Sequence, residues 1–245
     1  MGIDARTAAD AAVLLSHLRG FDVEDLQTYA SLEAPPGTVA GGTSMGIGGL
    51  RVGVLRQLFP AGAASAPGNA LVDTALRHLR TRSTVVDGLT TRLDLQPLIP
   101  SGKYLKGLDS RYNVAMQVAS LDSDAEYLTP LSRQRDVRAA LLEVMDWDRL
   151  DVLVYPLKSL PAPPLGEAEV GGPRDNPFSS VAGLPAVVVS VGLHPDGLPI
   201  SIEFMGRPFT ESTLLALAAA YERLRGPRPQ PGTVPRLPGE VFSYE

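Results

Sequence analysis

An α/β fold, a mixed β-sheet flanked by helices, is what this 245-residue sequence predicts. Three observations lead there. Segments with apolar residues at helical spacing alternate with short apolar runs, the pattern of a sheet layered by helices. One of those runs, Asp151-Val-Leu-Val-Tyr155, is apolar throughout its interior, as in a strand buried on both sheet faces. Two later runs, Ala186–Val191 and Pro199–Phe204, are joined by the turn His194-Pro-Asp-Gly197 and read as two further strands.

In chain order, Thr7-x-x-Asp10 opens a first helix, Ala11, Leu14, Leu15 and Leu18 supply its apolar face, and Gly20 ends it. Residues 21–49, acidic and then rich in Pro and Gly, read as a loop. Leu50–Leu55 is a short strand with Val52 and Val54 alternating, and a helix follows from Asn69 to Arg80 with Leu71, Leu76 and Leu79 on one side. Thr84–Asp87 is a second strand, and residues 88–108 read as irregular. Thr129-Pro130 marks the start of the clearest helix, because Thr caps well and Pro at the first position forfeits a donor with no intrahelical partner. Val137, Leu141, Leu142, Val144 and Met145 carry its apolar face to Trp147, and Met116 and Trp147 read as core. Pro156 stops the strand after Tyr155, and the Pro- and Gly-rich residues beyond it form a long loop. Thr210 caps the last helix, Glu211 to Arg225, and Gly226 closes it. A Pro-rich tail occupies residues 227–245, and no internal repeat is present.

Composition excludes several functions. The net charge is −5, with 22 basic and 27 acidic residues well mixed and no basic block, so nucleic-acid binding is not expected. With no cysteine there is no thiol nucleophile or Cys-ligated metal, and His17, His78 and His194 are too scattered to suggest a metal or triad site. The longest apolar run, Leu214–Tyr221, is far short of the about 18–20 residues that span a membrane, and the N-terminus lacks a signal-peptide core. A cytoplasmic protein without metal or cofactor is the expectation.

Isolated residues carry little chemistry. Gly41–Gly49 is Gly-rich, but it leads into a strand rather than a helix N-terminus, the wrong order for holding an anion, and reads as a linker. Ser179 and Ser180 have no base near them in sequence. Lys158, just past the end of a strand, stands where α/β sheets place ligand-facing residues, although a solvated lysine is the stronger explanation. His194 belongs to a turn. Asp146, Asp148 and Asp151 cluster, and Arg149 and the helix end explain them without a metal.

The order of motifs is more specific than any of these residues. Asp151–Pro156, then Pro161-Ala-Pro163, Asn176-Pro-Phe-Ser-Ser-Val-Ala-Gly-Leu-Pro-Ala186, Gly197–Phe209 and Leu214–Glu222 together resemble the C-terminal part of the amidase signature family. Ala5–Ala12 and Gly20–Asp25 resemble the family segment that lies downstream of the signature itself. The resemblance implies a mixed sheet with helices on both faces. It also implies hydrolysis of carboxylic amides by a serine nucleophile, a second serine on a cis peptide and an unprotonated lysine. A lysine base of this kind must be buried to lose its proton.

None of these catalytic groups maps onto this chain, because in the family they lie upstream of the segment matched by Ala5–Asp10. The three lysines (Lys103, Lys106, Lys158) fall elsewhere, and Ser44 follows the matched helix instead of preceding it. Residues 1–245 are therefore expected to be one partial amidase domain, its C-terminal half, inactive alone, with Met1 read as an internal methionine. By resemblance, Asn176, Phe178 and Ser179 border the acyl side of a substrate pocket, and the partner is a small amide once the catalytic half is supplied. A loop that only packs the sheet edge is the rival explanation for these three residues. A non-catalytic subunit or binding protein, a homodimer, and pairing with an N-terminal amidase half stay open. Ser190-Val-Gly192, where the family has Pro-Ala-Gly, and Lys158 depart from the family pattern.

Overall fold

The computed structural model describes residues 2–34, 39, 42–93, 95, 125–163 and 178–227, with only the backbone at 26, 27 and 125–133. Helix α1 (Ala8–Leu18) starts as its sequence predicts: extended Thr7 accepts the Asp10 N–H at its Oγ1, 3.1 Å away. A second carboxylate supports that start, since the Ala8 N–H lies 3.2 Å from both oxygens of Glu222 on the last helix. Such an acidic group at a helix N-terminus satisfies donors that lack intrahelical partners.

The segment expected to be loop contains a 3₁₀ helix, Leu26–Glu33, and a 3₁₀ turn, Gly42–Ser44. Gly42 is no linker glycine. A Cβ there would meet the Ser212 backbone at 3.0 Å, so the turn needs glycine to seat against the last helix.

Strand β1 (Arg51–Leu55), helix α2 (Ala66–Leu79) and strand β2 (Thr84–Leu89) form a parallel β-α-β unit. Helix α3 (Ala125–Trp147) begins four residues before Thr129-Pro130 and runs through that signal, so Pro130 is an interior residue that forfeits an N–H bond. Strand β3 (Val152–Lys158) also passes through its supposed stop. Its pairing with β1 ends at Val154, while its pairing with the later strand β5 (Pro199–Gly206) continues through Pro156, opposite Ile202, to Lys158, opposite Ser201. Beyond Val154 the β1 side is an edge, where a residue without an N–H is tolerated.

A short helix α4 (Phe178–Ala182) replaces part of the expected loop. Strand β4 (Ala186–Leu193) pairs antiparallel with β5, and helix α5 (Glu211–Arg225) follows. Thr210 does not cap α5 through its side chain; its hydroxyl donates instead to the Arg207 carbonyl at 2.7 Å. Gly226, at φ 82°, does close the helix.

The five strands are ordered β2-β1-β3-β5-β4, with β1 parallel to β2 and β3, and β5 antiparallel to both its neighbours. The mixed sheet with helices on both faces is therefore the predicted one. Alternation along β3 splits its side chains: Val152 and Val154 join α2 and α5 on one face, Leu153 and Tyr155 join α3 and α4 on the other. This two-sided burial is why the strand reads as a continuous apolar run.

Candidate functional site

Helix α4 is held in place at both ends of its single turn and a half. At its C-terminus, Gly183 sits at φ 61°, its N–H donating to the Ser180 carbonyl at 3.3 Å. The Leu184 N–H reaches back to the Ser179 carbonyl at 2.9 Å, which completes a Schellman closure. Arg138 of α3 then donates to the Ala182 and Gly183 carbonyls at 2.9 and 2.8 Å. Phe178 opens the helix, is 2% exposed, and packs in the core shared with Tyr155, Leu141 and Met205.

Ser179, the next residue, meets a buried polar pair. Tyr155 on β3 and Glu203 on β5 face each other across the ladder, and the Tyr155 hydroxyl donates to Glu203 Oε1 at 3.1 Å. The same hydroxyl lies 3.8 Å from Met205 Sδ. Ser179, on α4, lies within hydrogen-bonding reach of both groups. Burial pushes the Glu203 carboxyl above its ordinary value, and the Ser179 and Tyr155 hydroxyls partly offset this. Burial, then the neighbouring Glu203 charge, drives the Tyr155 phenol well above its own. The arrangement is a clamp: the Tyr155 hydroxyl gives its proton to Glu203, and the Ser179 hydroxyl beside them links α4 to the middle of the sheet. It contains no amine or imidazole base for Ser179 to use.

Of the three residues expected at the pocket, Asn176 lies outside the described residues, Phe178 is core, and Ser179 joins the clamp. Sequence reasoning missed Tyr155 and Glu203 as a pair. The available signal was a lone acid in the apolar run Ile202-Glu-Phe-Met205, two residues from Met205 on the same face, which is buried.

Near the C-terminal ends of β1 and β3, Ser159 is buried and donates to Asn69 Oδ1 at 2.8 Å, while Asn69 Nδ2 donates to the Pro60 carbonyl at 2.9 Å. Any Cβ at Gly68 would strike the Ser159 backbone, so the N-terminal turn of α2 is pressed against the end of β3. Lys158 is half-buried beside this contact, opposite Ser201. Lys103 and Lys106 lie outside the described residues. The acidic cluster is dispersed: Asp146 pairs with Arg207 at 2.7 Å, and Asp151 accepts the Arg51 N–H at 2.8 Å. No group of residues able to hold a metal occurs among the described residues, and no described helix is long and apolar enough to cross a membrane.

Residues 101–215 match the family model described as Amidase. The chain is 27% identical over 270 residues to a glutamyl-tRNA(Gln) amidotransferase subunit from Myxococcus xanthus, covering 89% of this chain and 53% of that one. It is 31% identical over 161 residues to the fatty acid amide hydrolase of Medicago truncatula, covering 61% of this chain and 26% of that one. The fold matches native peptide amidase from Stenotrophomonas maltophilia with a TM-score of 0.67 at 23% identity, over 94% of this chain and 54% of that chain. The chain thus spans about half the length of the full relatives it matches along most of its own length. In sequence and in fold, this chain is similar to amidase enzymes over about half of their length.

Proposed function

We propose that this chain serves the hydrolysis of carboxylic amide C–N bonds as the half of an amidase that builds one wall of the substrate pocket. The observation that carries the reading is the fixed helix α4, tied to the sheet by Ser179, Tyr155 and Glu203 within the segment that matches the amidase model. In this reading Asn176 and Ser179 border the acyl side of the substrate, and Phe178 packs beneath them. The Ser-Ser-Lys machinery belongs to the part of the relatives that this chain does not match. There a serine oxygen attacks the amide carbonyl, the amine leaves with a proton, and water then releases the acid from the seryl ester. Backbone amides stabilise the oxyanion in between. The names of the relatives, an amidotransferase subunit, a fatty acid amide hydrolase and a peptide amidase, suggest amide donors, fatty acid amides and peptide amides as substrate classes to try. The reading also places the chain in the cytoplasm.

The test is ammonia release from L-glutamine, oleamide and an amidated dipeptide. The chain is assayed alone and together with the polypeptide, from the same genome, that matches the uncovered part of the relatives. The expected result is no release from the chain alone and release from one of the three on mixing. Turnover by the chain alone would place the catalytic groups within it, and silence of the mixture on every amide would sink the reading.

A further inference from the structure

Two aspartates of this chain are followed directly by glycine: Asp87-Gly88 in β2, and Asp196-Gly197 in the turn between β4 and β5. This pair of residues has a chemistry of its own. The glycine nitrogen can attack the carboxyl carbon of the aspartate, because no Cβ shields it and glycine reaches backbone conformations closed to other residues. A C–N bond forms, the amide proton and the carboxyl hydroxyl leave as water, and a succinimide ring results. Water re-opens the ring, and attack at the backbone carbonyl leaves the chain running through the former side-chain carboxyl, as an isoaspartate. The water lost is the water regained, so no other reactant is needed.

The attacking residue is the same at both sites, and both glycines sit at φ 80°. Any difference between them therefore comes from the surrounding fold. At Asp87 the carboxylate is harnessed by three groups. Arg56 donates to Oδ1 and Oδ2 at 2.6 and 2.8 Å, Arg80 donates to Oδ2 at 2.7 Å, and the Gly88 N–H donates to Oδ1 at 2.7 Å. The Gly88 nitrogen thus presents its proton to a carboxylate oxygen and not its electron pair to the carbon. These bonds also bring the carboxyl down to about 2, which makes the hydroxyl form that releases water scarce. Pairing of Val86 with Gly53 and of Leu89 with Leu55 holds the strand on either side.

Asp196 lacks this harness. Its side chain is 63% exposed, and its Oδ2 meets the His194 ring, 3.0 Å from Nδ1. The Gly197 N–H donates to the His194 carbonyl at 2.8 Å, and the His194 N–H donates to the Leu198 carbonyl at 2.8 Å. A hairpin turn held by such bonds opens locally at less cost than a strand paired within a sheet. Opening frees the Gly197 nitrogen beside an exposed carboxyl.

We propose that Asp196 is a site of spontaneous isomerisation to isoaspartate, and that the fold protects Asp87 from the same reaction. The product adds a methylene to the backbone of the turn and draws the His194 N–H away from the Leu198 carbonyl. The inference does not depend on the proposed function above.

The experiment incubates the full chain for weeks at mildly acidic pH, folded and, in parallel, unfolded in guanidinium chloride. Digestion and electron-transfer fragmentation then distinguish isoaspartate from aspartate at each site. In the folded chain isoaspartate is expected to accumulate several-fold faster at 196 than at 87, and in the unfolded chain the two rates should converge. Arg56→Gln, which releases one side of the Asp87 carboxylate, should raise the rate at 87 and leave that at 196 unchanged. Equal rates at the two sites of the folded chain would overturn the proposal. So would a ratio that persists in guanidinium chloride, because sequence and not fold would then set it. A folded chain that forms no isoaspartate at 196, when the unfolded chain does, would show that the turn protects its aspartate and would overturn it too.

Discussion

Glu203 is the residue on which the candidate site turns. It is 2% exposed, yet it accepts from two hydroxyls, so removing it strands the Tyr155 hydroxyl in a dry core. Glu203→Ala is expected to cost about 3 kcal/mol, of which about 1–3 kcal/mol is the unpaired hydroxyl and the rest the cavity; urea denaturation reads it. Glu203→Gln keeps an acceptor and should cost less. The two also differ in pH dependence. The folded carboxyl holds its proton more tightly than the unfolded one, so its contribution is full below the ordinary 4.5 and falls as pH rises towards the raised folded value. The Gln variant should lack that slope. Asp87 works with the opposite sign: its bonds to Arg56, and then to Gly88 and Arg80, bring it from 3.8 down to about 2. Its stabilisation is present above 3.8 and lost as pH falls through about 2. Because the group is partly exposed, Asp87→Asn is expected to cost only about 1 kcal/mol at neutral pH, and it should flatten the acid limb of the denaturation profile. An unchanged limb would mean that other carboxylates set it.

At the scale of elements, α4 owes its place to its ends, because a helix this short has little stability of its own. Gly183→Ala forces a Cβ into the left-handed region and is expected to cost about 1 kcal/mol. Arg138→Ala leaves the last carbonyls without their partner. Both variants should speed amide exchange at Gly183 and Leu184 while leaving β1 and β2 unchanged, and equal exchange in wild type and variants would show that the caps are dispensable. These closures also mark the limit of what sequence conveys. The start of helix α1, the doubly buried β3 and the β4–β5 pair were legible, since each is specified by a local period or by a cap between neighbours. The apolar face read on α1 and the core place read for Trp147 were not legible, because Leu14, Leu18 and Trp147 are exposed. The start of α4 was not, because its decisive contacts come from Arg138, Tyr155 and Glu203, distant in sequence. Pro156 and Pro130 misled for a related reason. A proline ends an element only where the missing N–H had a ladder or helix bond that nothing else replaces, and at Pro156 the β1 pairing has already ended. Thr210 looked like a cap, yet the Arg207 carbonyl takes its hydroxyl first. The candidate site was legible only as a segment: Ser179 stood out by resemblance, while the acid that holds it lay hidden in an apolar strand.

For the whole molecule, the decisive fact is that one sheet serves two cores. Leu76 of α2 and Leu141 of α3 are each fully buried, on opposite faces, and neither touches the other's cluster. Either layer alone would look like a separable unit, but β3 sends alternate side chains into both, and its backbone cannot unfold on one side only. The two faces should therefore melt together. Leu76→Ala and Leu141→Ala are each expected to cost about 2–5 kcal/mol, and the double variant should show close to the sum, as expected for distant sites without shared partners. Calorimetry should give a single transition in all three, with urea slopes like that of the parent, because the surface exposed on unfolding is still the whole sheet and both layers. A Leu141→Ala protein that loses the α3 and α4 signals early, while α2 and α5 persist, would show that the layers are independent. In that event the clamp at Ser179 would belong to a layer that orders separately from α2 and α5.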